Sequence, residues 1–150
     1  DEDLVEIAVE TAKTARVFGI EPKVGLLSYS TKGSGKGPAV DKVVSACEKL
    51  AAMDLDFDVD GEFQFDAAVS PVVAAQKAPN SKVAGHCNTF VFPNIEAGNI
   101  GYKIAARLGG YEAVGPILQG LNAPINDLSR GCNTEEVYKL AIITAAQKYI

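Results

Sequence analysis

The sequence has no tryptophan, one histidine, one methionine and three cysteines among its 150 residues. A lone His86 cannot build a histidine-rich metal centre, and Cys47, Cys87 and Cys132 contain no Cys-x-x-Cys pair for zinc. Three widely spaced cysteines do not make a disulfide framework, so a reducing, cytoplasmic setting is expected. No apolar run approaches the ~18–20 residues that cross a bilayer, and no signal peptide opens the chain. Basic residues are outnumbered 14 to 19, for a net charge of -5. With no basic stripe and no aromatic-basic interleaving, nucleic acid and membrane are excluded as partners. A small anionic ligand stays compatible, because a few local donors can reverse the field inside a cleft. The chain begins DEDLVE rather than with Met, from which a cut piece of a longer protein is expected.

What is present is ordinary globular material, 47% hydrophobic and 22% charged. DLVEIAVETAKTARVF at 3–18 has helical recurrence, with Asp3 as expected N-cap and Gly19 as the stop. KVGLLSY at 23–29 is a near-continuous apolar run of strand length, followed by a glycine-rich turn and a helix over 38–52. LDFDVDGEF at 55–63 reads as a short strand with acids at alternate positions. Residues 64–79 read as helix broken at Pro71, 87–93 as strand and 94–110 as helix capped by Asn94. YEAVGPILQGL at 111–121 reads as strand and 133–149 as the closing helix. The alternation predicts an α/β layered domain with a mainly parallel sheet, whose ligands sit beyond the carboxyl ends of its strands.

Three polar stretches follow strands. In LLSYSTKGSGKGP, residues 26–38, Gly35-Lys36 suggests a nucleotide-phosphate loop, but the template's first glycine position is Ser30 and its final hydroxyl position is Gly37. The ATP reading is rejected. A weaker one stays open, in which the Ser30, Thr31 and Ser34 hydroxyls and the amides around Gly33 bind an anion, against a loop whose glycines merely permit positive φ. In PNIEAGNIGYK, residues 93–103, Asn99 shares a helix face with Tyr102 or Lys103. In NDLSRGC, residues 126–132, Asn126, Asp127, Ser129 and Arg130 gather in one turn. Of the three arginines, Arg16, Arg107 and Arg130, only Arg130 lies outside a helical surface pattern. Its planar fork suits phosphate or a developing oxyanion, and the alternative is a pair with Asp127. Asn133-x-x-Glu136 fits a capping box, while a carboxylate one turn beyond Arg130 also fits a proton acceptor. Cys132 has no histidine near it in sequence to generate a thiolate.

SYSTKGSGKGP, DGEFQFDAAVSP, FPNIEAGNIGYK and GPILQGLNAPINDLSRGC, in that order, closely resemble the phosphate acetyltransferases (phosphotransacetylases) of the phosphate acetyl/butyryltransferase family. The likeness runs from about residue 4 to 148 and covers the C-terminal half of that family's length. It implies a three-layer α/β/α domain of the isocitrate/isopropylmalate dehydrogenase-like kind. About 20–125 would form the core, and about 126–150 an active-site turn and closing helix that pack on a missing N-terminal domain. It further implies reversible acetyl transfer between coenzyme A and inorganic phosphate, a homodimer, and no metal or organic cofactor beyond coenzyme A as substrate. The family's Ser-Arg pair falls on Ser129 and Arg130 as catalytic residues. Its general-base aspartate falls on Glu136, one methylene longer. Its cysteine falls on Cys132, close to the site but not the nucleophile. Ser30, Thr31, Gly33, Ser34, Asn99, Tyr102, Lys103 and Asn126 are the expected substrate-binding residues. The reaction implied is direct thiolate attack on acetyl phosphate, and the 150 residues alone are expected to be inactive. Competing expectations are a phosphate butyryltransferase, a non-catalytic ligand-binding module, and a sugar- or dinucleotide-binding domain, the last disfavoured by the lack of G-x-G-x-x-G after a strand.

Overall fold

The computed structural model describes residues 1–149, which divide into two compact units, Asp1–Gly98 and Asn99 onward. In the first unit the chain runs α1 (Glu2–Val17), β1 (Lys23–Leu27), α2 (Pro38–Ala51), β2 (Asp58–Phe63), α3 (Phe65–Val69), α4 (Pro71–Lys77) and β3 (Thr89–Val91). The strands form a parallel sheet in the order β2-β1-β3. The expected parallel sheet is therefore present, and with all three strands parallel their carboxyl ends share one edge.

The layers follow from side-chain alternation. On one face Val24, Leu26 and Val91 meet Leu4, Ala8 and Ala12 of α1 and Val43, Ala46 and Leu50 of α2. On the other, Leu27 and Phe63 meet Ala68, Ala74, Ala78, Val83 and Cys87. A central strand covered on both faces must be apolar almost throughout, which is why VGLL is uninterrupted. Alanines at 8 and 12, one helical turn apart, bring α1 close to the sheet. α1 thus contributes to the core, although its residues precede the expected 20–125 span.

Several local expectations change. The N-cap of α1 is Asp1, whose carboxylate accepts from the Glu2 N–H at 3.1 Å, and not Asp3. The break at Pro71 is present, with Ser70 capping α4. β3 keeps only three residues of the expected 87–93. α5 (Ile95–Gly109) begins as expected, the Asn94 Oδ1 accepting from the Ala97 N–H at 2.8 Å, and the boundary between the units falls within it.

In the second unit, residues 111–121 form no strand. Pro116 has no N–H to give a ladder, and the groups of Leu118 go to side chains instead. Its N–H donates to Asn126 Oδ1 at 2.8 Å and its carbonyl accepts from Gln147 Nε2 at 3.3 Å. α6 (Thr134–Ala146) follows, ending in a 3-10 turn over Gln147–Tyr149. Lys139 of α6 ties Glu112 and Glu135 together. No helix among the described residues is long and apolar enough to cross a membrane.

Candidate active site

The turn after β1 is closed by its own side chains and by the end of β2. Ser30 is fully buried and Thr31 nearly so. The Ser30 hydroxyl donates to Glu62 Oε1 at 2.8 Å and accepts from the Gly35 N–H at 2.8 Å. The Gly33 N–H donates to the same Glu62 oxygen at 2.8 Å, and the Thr31 N–H donates to Ser34 Oγ at 2.9 Å. Thr31 Oγ1 accepts from the Gln64 N–H at 2.8 Å. Of the donors that the sequence offers to an outside anion, the Ser30 hydroxyl and the Gly33 N–H go instead to the Glu62 carboxyl group, and the Thr31 and Gly35 N–H groups go to hydroxyls of the turn itself. Gly33 and Ser34 are exposed, while Ser30 and Thr31 hold the shape. Lys32, at φ 47°, stands in the left-handed region that favours glycine. Its ammonium bonds Asp60 Oδ1 and the Gly61 carbonyl, both at 2.5 Å.

Glu62 escaped sequence reasoning because it looked like the last of the alternating acids Asp56, Asp58 and Asp60. The usable signal was its place between Gly61 and Phe63, an acid entering the apolar end of a strand.

On α5, Asn99, Tyr102 and Lys103 are all exposed. The Lys103 ammonium donates to the Tyr102 hydroxyl at 2.8 Å and lies 4.6 Å from its ring centroid, so these two act as a pair.

The Ser-Arg turn is fastened at both ends. Before it, Asn126 Nδ2 donates to Thr144 Oγ1 at 2.7 Å and to Gln147 Oε1 at 2.6 Å, while its Oδ1 receives Leu118. The Asn126 side chain is therefore committed at both ends, its Nδ2 joining the segment to the end of α6 and its Oδ1 closing the 118–126 segment on itself. After the turn, the Asn133 side chain accepts from the Glu136 N–H and Glu136 Oε2 accepts from the Asn133 N–H, both at 2.9 Å. This is the capping box. Between these anchors the Cys132 N–H donates to the Ser129 carbonyl at 3.0 Å, and Asp127 Oδ1 accepts from the Leu128 N–H at 2.8 Å. Asp127 is turned to its own turn and not to Arg130. Ser129 and Arg130 are exposed, and among the described residues Arg130 has no ion-pair partner. Arg16, by contrast, is bonded to Asp56 at 2.6 Å. Glu136 Oε1 receives no hydrogen bond among the described residues.

The two more enclosed thiols, Cys47 and Cys87, offer no nucleophile. Burial pushes Cys47 up to about 12 and Cys87 up to about 11, so neither is a thiolate near neutral pH. Cys132 is half-buried in the turn. Among the described residues no cluster of His, Cys, Asp and Glu could hold a metal ion.

The sequence matches the phosphate acetyl/butaryl transferase family over residues 1–145. It is 65% identical over 149 residues to the phosphate acetyltransferase of Staphylococcus epidermidis, covering 96% of this chain and 45% of that protein. The Bacillus subtilis phosphate acetyltransferase is 62% identical over 146 residues, covering 97% of this chain and 45% of that protein. A phosphotransacetylase of known structure from Streptococcus pyogenes superposes with a TM-score of 0.94 at 63% identity, over 97% of this chain and 44% of that one. The chain spans a little under half the length of the curated relatives it matches. Sequence and backbone agree across both units: the chain belongs to the phosphate acetyl/butaryl transferase family.

Proposed function

We propose that this chain forms part of an enzyme that moves an acetyl group reversibly between coenzyme A and inorganic phosphate. The observation that carries the reading is the 65% identity to a phosphate acetyltransferase, in a match that spans the NDLSRGC turn. The geometry fits it in two ways. Among the described residues Arg130 is exposed without an ion-pair partner, and Glu136 Oε1 receives no hydrogen bond while Oε2 caps α6.

In this reading Glu136 Oε1 takes the proton of the coenzyme A thiol. The sulfur forms a bond to the carbonyl carbon of acetyl phosphate, and the negative charge moves to the carbonyl oxygen. When that charge returns, the carbon–oxygen bond to phosphate breaks and phosphate leaves. Arg130 holds the phosphate and offsets the charge through the step, where fixed electrostatics contribute most. The Ser129 hydroxyl orients the phosphate. No acyl-enzyme forms, in keeping with thiols that are buried or lack a base. Ser34, Asn99, Tyr102 and Lys103 contact the substrates, whereas Ser30, Thr31, Gly33 and Asn126 act through the shape they impose. No metal or organic cofactor enters the reaction, and two copies of the protein form the working assembly.

The test is acetyl-CoA formation from acetyl phosphate and coenzyme A by the full-length gene product, with butyryl phosphate as the competing acyl donor. Faster turnover of the butyryl ester would replace this reading with a phosphate butyryltransferase, and binding without turnover would replace it with a ligand-binding module. Within the same assay Glu136→Gln separates the helix cap from the proton acceptor. Gln serves equally at the third position of a capping box, so stability is expected to stay within about 0.5 kcal/mol of wild type. Loss of the proton acceptor is expected to lower kcat by about 10²-fold. An unchanged kcat would leave Glu136 with the cap alone.

A further inference from the structure

We infer that Glu62 is a positioning residue: its buried carboxylate fixes the 28–37 turn, and through that turn sets the affinity for the phosphate-bearing substrate. The identity of that substrate rests on the acetyl-transfer reading above.

The ladder between β1 and β2 is regular as far as Leu26 opposite Gly61 and then passes to Leu27 opposite Phe63, which leaves Glu62 as an extra residue. A bulge of this kind bends the strand and re-aims a side chain. Plain alternation would set Glu62 on the same face as Asp58 and Asp60, but it is only 4% exposed. No lysine or arginine pairs with it among the described residues, since Lys32 goes to Asp60 instead. Its hydrogen-bond partners all belong to the turn. Oε1 receives the Ser30 hydroxyl and the Gly33 N–H, and Ser30 relays the restraint to Gly35. The backbone adds to this, with the Lys32 N–H donating to the Glu62 carbonyl at 3.2 Å and the Ser28 N–H to the Phe63 carbonyl at 2.8 Å.

A buried carboxylate is costly to desolvate, and an apolar side chain would fill the same bulge at lower cost. The arrangement makes sense if what is needed is the turn's exact conformation. Lys32 supports this, because a non-glycine residue in the left-handed region persists only where its surroundings over-determine it. The turn lies at the carboxyl edge of the parallel strands, where ligands of α/β sheets sit. The Gly33 and Gly35 amides are consumed internally, and the exposed Ser34 and Lys36 side chains stand on the backbone that Glu62 and Ser30 hold, Ser34 Oγ also accepting from the Thr31 N–H.

The experiment compares Glu62→Ala and Glu62→Gln in the full-length gene product. Glu62→Ala is expected to raise the KM for acetyl phosphate by about 10-fold or more while kcat stays within about 3-fold, as expected when ground-state binding is lost. Glu62→Gln keeps an oxygen that accepts from both donors and is expected to return KM to within about 3-fold of wild type. Hydrogen exchange over residues 30–36 gives a readout independent of any substrate. It is expected to quicken in Glu62→Ala and to stay near wild type in Glu62→Gln. Unchanged exchange in Glu62→Ala, an unchanged KM, or kcat and KM effects that merely track the folded fraction would each overturn the inference. If Glu62→Ala does not fold, Ser30→Ala cuts the same relay at its middle and is judged by the same criteria. Failure of the wild-type protein to make acetyl-CoA would sink the acetyl-transfer reading instead, and the exchange comparison would still decide the role of Glu62.

Discussion

Arg130→Ala in the full-length gene product is expected to lower kcat for acetyl-CoA formation by about 10³-fold, the scale seen when a fixed donor to a developing oxyanion is removed. Its thermal midpoint is expected to be unchanged, because surface substitutions away from special contacts stay within about 0.5 kcal/mol. The two halves of this expectation come from one observation. Arg130 stands exposed in a turn that is held by other residues: Asn126 before it, the Asn133–Glu136 box after it, and the Cys132-to-Ser129 backbone bond across it. Removing the guanidinium therefore takes nothing from the fold. Arg130→Lys is expected to recover only part of the rate, since an ammonium is a point charge and cannot grip a phosphate with two parallel bonds. Steady-state kinetics and a thermal melt on the same samples check both halves. Wild-type kinetics in Arg130→Ala would remove the residue from the mechanism.

Phe63→Ala is expected to destabilise the sheet unit by about 3–5 kcal/mol, the range for deleting a buried aromatic ring. Its side chain is completely enclosed and packs with Leu27, Ala68, Ala74 and Val83 on the face away from α1. Four members of that cluster are alanines, Ala68, Ala74, Ala78 and Ala84, which have no flexible ends to swing into the space. Gly25 contributes only backbone there, its absent Cβ position lying 3.7 Å from Phe63 Cδ2. The alanines leave Leu27 and Val83 to relax only in part into the cavity, so most of its cost would be felt. Against a total stability of about 5–15 kcal/mol for an ordinary domain, that is a large share. Phe63→Leu, which keeps most of the volume, is expected to cost about 1.5 kcal/mol or less. Urea denaturation of the 150-residue chain measures both. A loss below about 1 kcal/mol for the alanine variant would show that the second core layer collapses around the gap.

Most of the first unit was legible from local patterns because those patterns are what hold it. The apolar run at 23–27, the helix from Pro38, the stop at Pro71 and the Asn94 cap each have a cause within a few residues. The Asn133–Glu136 box was legible for the same reason. What could not be read depends on partners distant in sequence. YEAVGPILQGL has the composition of a strand, but a strand is made by its neighbour, and the backbone of Leu118 meets Asn126 and Gln147 instead. Glu62 lies 29 residues or more from Gly33 and Ser30, and although its place in DGEF hints at burial, it does not give SYSTKGSG as the partner. Asn126 stands out in sequence for its polarity close to Ser129, yet its side-chain amide bonds Thr144 in the closing helix and Gln147 just after it. Polarity in a turn marks a residue as important and leaves open which of its neighbours it serves.

The extra residue in β2 separates two properties that are usually tangled together. With position 62 deleted, Gly61 and Phe63 would become consecutive and the pairing with Leu26 and Leu27 would run without a skip. The sheet would gain a more even edge and lose an enclosed carboxyl group, while the loop beside it lost its internal tether. A lineage selected only for robustness would tend to drop that residue, and one selected for substrate affinity would keep it. Directed evolution toward heat resistance in this scaffold therefore has a specific hazard, a more regular sheet obtained by loosening the 28–37 turn.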